Sequence, residues 1–181
     1  MTDLVIGTQT FTFDGRFTVV DVERDDGYKK YQNWLFAVRV TKKPEHWSSP
    51  IGQMIVDVIL ADAAGLWLVE MKDYRIGAVV APLHLADAAA RKVRDTLAYM
   101  ASAALGAGNA TSAEGAMYRA LLLSSAIFAY LDVEWPPQSS PLAPSSAQLR
   151  ANVQQDLERA FRNSGIVAKV VDQSTRAHWR V

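Results

Sequence analysis

The stretch from 54 to 74, MIVDVILADAAGLWLVEMKDY, constrains the fold more than any other part of the chain. Two apolar runs of strand length flank DAAG, a turn-like tetrapeptide, and together they predict a pair of antiparallel strands. Successive side chains of a strand alternate between faces. Leu66, Leu68, Glu70 and Lys72 therefore emerge from one face, and Trp67, Val69 and Met71 from the other. Asp57 interrupts the first run among apolar neighbours. Burying such groups is costly unless something pairs with them, so their placement asks for a purpose.

Two registers are open. A two-residue loop centred on Ala63 and Ala64 sets Asp57 opposite Glu70, with Lys72 two residues further along the same face. A type I turn followed by a bulge at Gly65 shifts the pairing by one and sets Asp57 opposite Met71. In the first register two carboxylates and a lysine converge. Facing carboxylates repel, and a hard divalent cation such as Mg²⁺ is what such a set accommodates, with waters and a substrate phosphate completing its shell. A metal there would bind the scissile phosphate and polarise the attacking water, and Lys72 would steady the developing charge.

The rest of the chain reads as α/β, an α+β mixed sheet covered by helices. Asp14-Gly15 sits between alternating β-branched and aromatic residues, a hairpin signal, and NWLFAVRV (33–40) is another strand. Val93, Leu97, Ala101 and Leu105 recur every four residues in a helix from about Leu83. Thr111 with Glu114 has capping-box spacing for a second helix. AIFAYLDVEW is a strand ended by Pro136 and Pro137; its Asp132 and Glu134 are read as exposed. Leu149, Val153, Leu157 and Phe161 mark a last helix with Gly165 as C-cap, and IVAKVVD is a final strand. The expected organisation is a β-rich segment over 1–44 and a core over 45–181.

At Asp57 and Glu70-Met71-Lys72 the chain resembles the PD-(D/E)xK nuclease superfamily, which carries an acid on one strand and (D/E)xK on the next in an αβββαβ core. The resemblance covers roughly residues 50 to 135. It implies a restriction-endonuclease-like core and a Mg²⁺- or Mn²⁺-dependent phosphodiesterase acting on nucleic acid, DNA first, in restriction, repair or defence. Asp57, Glu70 and the Met71 carbonyl would hold the metal and Lys72 would be catalytic. Arg75, Arg91, Lys92 and Arg94 are the candidate nucleic-acid contacts. Val56 stands where the nominal motif has proline, no first core helix with a further acid is evident, and Asp95 precedes Tyr99 where one branch has glutamine. Cutting both strands of a duplex takes two sites, so a homodimer or larger complex is expected. The alternative is a noncatalytic binding or assembly subunit with the same fold.

Composition narrows these readings. The 181 residues suit one domain with a substantial core. Nineteen basic residues balance nineteen acidic ones, which counts against a free-standing protein that grips nucleic acid through many phosphates. The absence of cysteine removes disulfides, thiolate zinc sites and cysteine nucleophiles. His46, His84 and His178 lack ligand spacing, and neither a phosphate loop nor a Gly-x-Ser-x-Gly motif occurs. With no leader-like opening and no run long enough to span a bilayer, the expectation is a cytoplasmic protein without membrane association.

Overall fold

A computed structural model describes residues 2–6, 9–21, 55–75, 84–106, 111–124, 126–138, 141–172 and 175. The strand expected over 33–40 and the boundary expected at 44/45 lie outside them. In chain order the elements are β1 (Thr2–Ile6), β2 (Gln9–Phe13), β3 (Thr18–Asp21), β4 (Val58–Asp62), β5 (Gly65–Asp73), α1 (Leu85–Ala104), α2 (Ser112–Leu122), β6 (Ile127–Glu134), α3 (Ser146–Ala160) and β7 (Ile166–Val171). β1 and β2 form an antiparallel pair, and the other strands form a five-stranded sheet in the order β3-β4-β5-β6-β7.

The sheet is mixed. β3, β4 and β5 run antiparallel, and β5, β6 and β7 run parallel. Parallel neighbours need long crossovers; α1 and α2 supply one between β5 and β6, and α3 supplies the next. β5 is therefore central and covered on both sides. Leu66 and Leu68 pack with Leu85, Ala89, Ala90 and Val93 of α1, with Leu131 of β6 and with Val153 and Leu157 of α3. On the opposite face Trp67, Val69 and Met71 join Phe13, Phe17, Tyr130 and Val171. Trp67 lies between Phe128, stacked at 5.0 Å, and Phe17, edge-on at 5.6 Å.

The β4–β5 turn decides the register. Asp62 pairs with Gly65, so Ala63 and Ala64 alone form the loop and the bulged alternative is not used. The Asp62 carboxylate braces it by accepting from the Ala64 N–H at 2.6 Å. Gly65 is needed here because a Cβ would sit 2.6 Å from the Ala126 carbonyl oxygen and 2.8 Å from the Phe128 ring. That same carbonyl accepts the Leu66 N–H at 2.9 Å, joining the start of β5 to β6.

Several expectations hold and others change. Thr111 and Glu114 do form a capping box on α2, and Ser145 with Gln148 forms another on α3. Asp14-Gly15 makes a turn, with the Phe17 N–H donating to the Asp14 carbonyl at 3.1 Å, but it is not a hairpin. β2 pairs with β1 while β3 pairs with β4. The turn instead passes the chain between sheets, with Phe13 and Phe17 on either side of it buried in one cluster. α3 is capped at Phe161, and Gly165, at φ +76°, turns the chain into β7 instead. Asp132 and Glu134 are buried, because β6 is an interior strand rather than an edge. No helix among the described residues is long and apolar enough to cross a membrane.

Gly65→Ala should lower unfolding free energy by about 1–3 kcal/mol, since the obstructing atoms are backbone and a packed ring. A shifted urea midpoint at unchanged slope is the expected result.

Candidate active site

β4 and β5 separate at Asp57. Their pairing ends with Val58 opposite Val69. One further step would set Asp57 opposite Glu70, and a second would bond Val56 to Met71. The second bond is not made. The Val56 N–H turns to the Thr96 hydroxyl on α1, at 3.0 Å. The Met71 N–H donates to Asp57 Oδ2 at 2.7 Å, so a side-chain carboxylate stands where a backbone carbonyl would have been. The N–H and C=O of a strand residue point to the same side. The N–H groups of Leu66 and Tyr74 bond toward β6, which leaves Met71 facing the β4 side and aims its carbonyl at the same opening.

Glu70 emerges toward α1 and is 1% exposed. Two lysines meet it. Lys92 of α1 donates to Oε2 at 2.8 Å, and its Nζ lies 2.7 Å from Oε1 and 3.7 Å from Asp57 Oδ1. Lys72 Nζ lies 2.5 Å from Oε1. Both ammonium groups sit within ion-pair distance of Oε1, so this buried oxygen is held by positive charge from two elements. α1 holds the arrangement together: Thr96, which receives the Val56 N–H, donates its own hydroxyl proton to the Lys92 carbonyl at 2.8 Å. This is the i to i−4 back-bond open to a helical threonine.

The electrostatics are incompletely balanced. Burial raises the Glu70 pKa above the ordinary carboxylate value and Asp57 adds to the rise, while Lys92, then Lys72, offsets part of it. Burial opposes the charge on Lys72, yet Glu70 beside it, with help from Asp57, lifts the Lys72 pKa on balance. Tyr74, the next residue on this face, also has a raised pKa, chiefly through burial. The cluster opens outward through Lys72, whose side chain is 34% exposed against 15% for Lys92.

The expected trio of Asp57, Glu70 and Lys72 is thus brought together, with the Met71 backbone beside it. The four expected nucleic-acid contacts divide. Arg91 and Arg94 are exposed on α1. Arg75 is folded back on its neighbour, Nε and Nη2 donating to Asp73 at 2.9 and 2.7 Å. Lys92 lies inside the site instead. The sequence reading assigned no role to Thr96; its signal was a polar residue one turn after Lys92 on the buried side of α1. Tyr99 is core, edge-on to Tyr118 at 5.3 Å. Among the described residues no three His, Asp or Glu side chains gather in ligating geometry. Asp57 and Glu70 give two carboxylates, a set that suits a cation retaining most of its waters, with the Met71 carbonyl as third donor.

No known family model matches the chain, and neither a curated protein nor a solved structure is similar to it.

Thr96→Val keeps the side chain's shape and leaves the buried Val56 N–H without a partner. It should cost about 1–3 kcal/mol in chemical denaturation. It should also speed hydrogen exchange at Val56, which the equally sized Thr111→Val should not.

Proposed function

We propose that the chain is a metal-dependent nuclease hydrolysing phosphodiester bonds, with DNA as its first-choice substrate. One observation carries this reading: Asp57 takes the Met71 N–H where the β4–β5 pairing ends, and so shares a charged cluster with Glu70 and the lysines. Among the described residues two antiparallel strands, a helical crossover and a parallel strand run from β4 to β6, in keeping with the ββαβ part of the core that the resemblance implies. Asp57, Glu70 and the Met71 carbonyl would hold Mg²⁺ or Mn²⁺. A divalent cation bound there supplies charge neutralisation at the phosphate and a more acidic water.

The chain's own residues do the remaining work. Lys72, the more exposed of the two lysines, would meet the negative charge that builds on phosphorus oxygens in the transition state. The Met71–Asp57 bond orients one carboxylate, and the sheet and α1 hold the Glu70 backbone and its surroundings still. A second reading has its own support. Two carboxylates and two ammonium groups cancel in formal charge, as a purely structural ion cluster in a noncatalytic binding or assembly subunit would have them.

Two measurements separate these. Calorimetric titration with Mn²⁺ should find a millimolar-or-better site that Glu70→Gln and Asp57→Asn remove. Cleavage of linear duplex, circular duplex, single-stranded DNA and RNA should depend on metal and fall about 10²-fold or more in Lys72→Ala. Absence of both binding and cleavage in the unmutated protein favours the noncatalytic subunit.

A further inference from the structure

Lys92 Nζ lies between the two carboxylates that a shared cation would bridge. Among the described residues it is the ammonium group in ion-pair contact with both carboxylates, at 2.7 Å from Glu70 Oε1 and 3.7 Å from Asp57 Oδ1. Lys72 reaches Glu70. Lys92 comes from a different element, 22 residues along the chain from Glu70, and its backbone is tied by Thr96.

We propose that Lys92 is a built-in competitor for the divalent cation, drawn off by the phosphate of the incoming nucleic acid, so that metal and substrate load cooperatively. This rests on the nuclease reading. Two carboxylates already face two ammonium groups, so a divalent cation enters a cluster whose charge is balanced and meets Lys92 at contact distance. Like charges that close repel strongly in a partly dry site. A lysine has a flexible four-carbon stem with its charge at the tip. With its backbone held by Thr96, the stem can swing the ammonium group from the carboxylates toward the side where Lys72 opens the cluster. A phosphodiester arriving there supplies the negative charge that the displaced ammonium group needs. By linkage, each ligand then raises the affinity for the other by the same factor. Lys92 is a positioning residue in this scheme and leaves the reacting atoms to Lys72 and the metal ligands.

The test is Mn²⁺ titration calorimetry on the full chain, unmutated and as Lys92→Gln and Lys92→Arg, alone and with a phosphorothioate DNA duplex, which keeps its charge and resists cleavage. Without the duplex, Lys92→Gln should bind Mn²⁺ at least about tenfold more tightly than the unmutated protein. Lys92→Arg, which keeps the charge, should stay within about threefold of it. The duplex should raise Mn²⁺ affinity about tenfold in the unmutated protein and about twofold or less in Lys92→Gln. In thermal melts Lys92→Gln should lose stability in chelator and regain more of it with Mn²⁺ than the unmutated protein gains. Lys92→Met, which keeps the apolar stem, carries the same expectations if Lys92→Gln does not fold. Equal or weaker Mn²⁺ binding in the neutral variants overturns the proposal while leaving the nuclease reading intact, as does a duplex effect of equal size in all forms. Failure of both neutral variants to fold in saturating Mn²⁺ overturns it too, because a competing cation would replace the missing charge. Absence of Mn²⁺ binding in every form, with or without duplex, removes the nuclease reading and this inference with it.

Discussion

The hydrogen bond from the Met71 N–H to the Asp57 carboxylate is the constraint on which the site depends. A strand pair left to itself would continue its ladder, and each further backbone bond would close the space between β4 and β5. Here the ladder stops because both backbone partners have better-placed alternatives. Val56 is held by Thr96, and Met71 is held by Asp57. Neither buried N–H is left unsatisfied, so the opening costs the sheet little. Without the aspartate the Met71 N–H would lose its acceptor, and without the threonine hydroxyl the Val56 N–H would lose its own.

The charges gathered at that opening are poor agents of stability. Burying an ion pair recovers at best part of the solvation its members lose, and apolar residues of the same shape often serve the fold equally well. Glu70 is surrounded by the main core, with Leu68 on its own strand and Leu131 opposite it on β6. A leucine at its position would extend that core. The raised Glu70 pKa says that two lysines do not fully repay burial next to a second carboxylate. That deficit is retained where the cluster reaches the surface through Lys72, whose side chain is 34% exposed.

Precision in that arrangement comes from the far side of the sheet. Trp67, Val69 and Met71 alternate with Leu66, Leu68 and Glu70, so packing beneath the sheet fixes the strand that presents the site above it. Trp67 is clamped between two phenylalanines, one on β6 and one brought in by the Asp14 turn. The helical side repeats the device: Ala89, Ala90 and Val93 seat α1 against β5, which determines where Lys92 and Thr96 arrive. The candidate site thus sits on rigid elements rather than on loops.

What the sequence determined by itself is local in origin. Alternation along β5 put Glu70 and Lys72 on one face whatever the partners, because the strand repeat is two residues. The short loop with Gly65 then carried Asp57 to the end of the neighbouring strand, and the Thr111–Glu114 spacing started α2. The contacts that only the tertiary structure decided join residues far apart in the chain. Val56 reaches Thr96 across 40 positions and Lys92 reaches Glu70 across 22. In the sequence Lys92 is one of several cations on a helix flank, indistinguishable by type from Arg91 and Arg94. Its entry into the site follows from how deeply and at what rotation α1 packs on the sheet. The same holds for the Asp14 turn, whose chemistry requires a reversal but does not choose a strand partner, and for Asp132, buried because β7 adds beyond β6. Side-chain periodicity is set by backbone geometry within a few residues, whereas partner choice is set by the joint packing of whole elements, which no short pattern encodes.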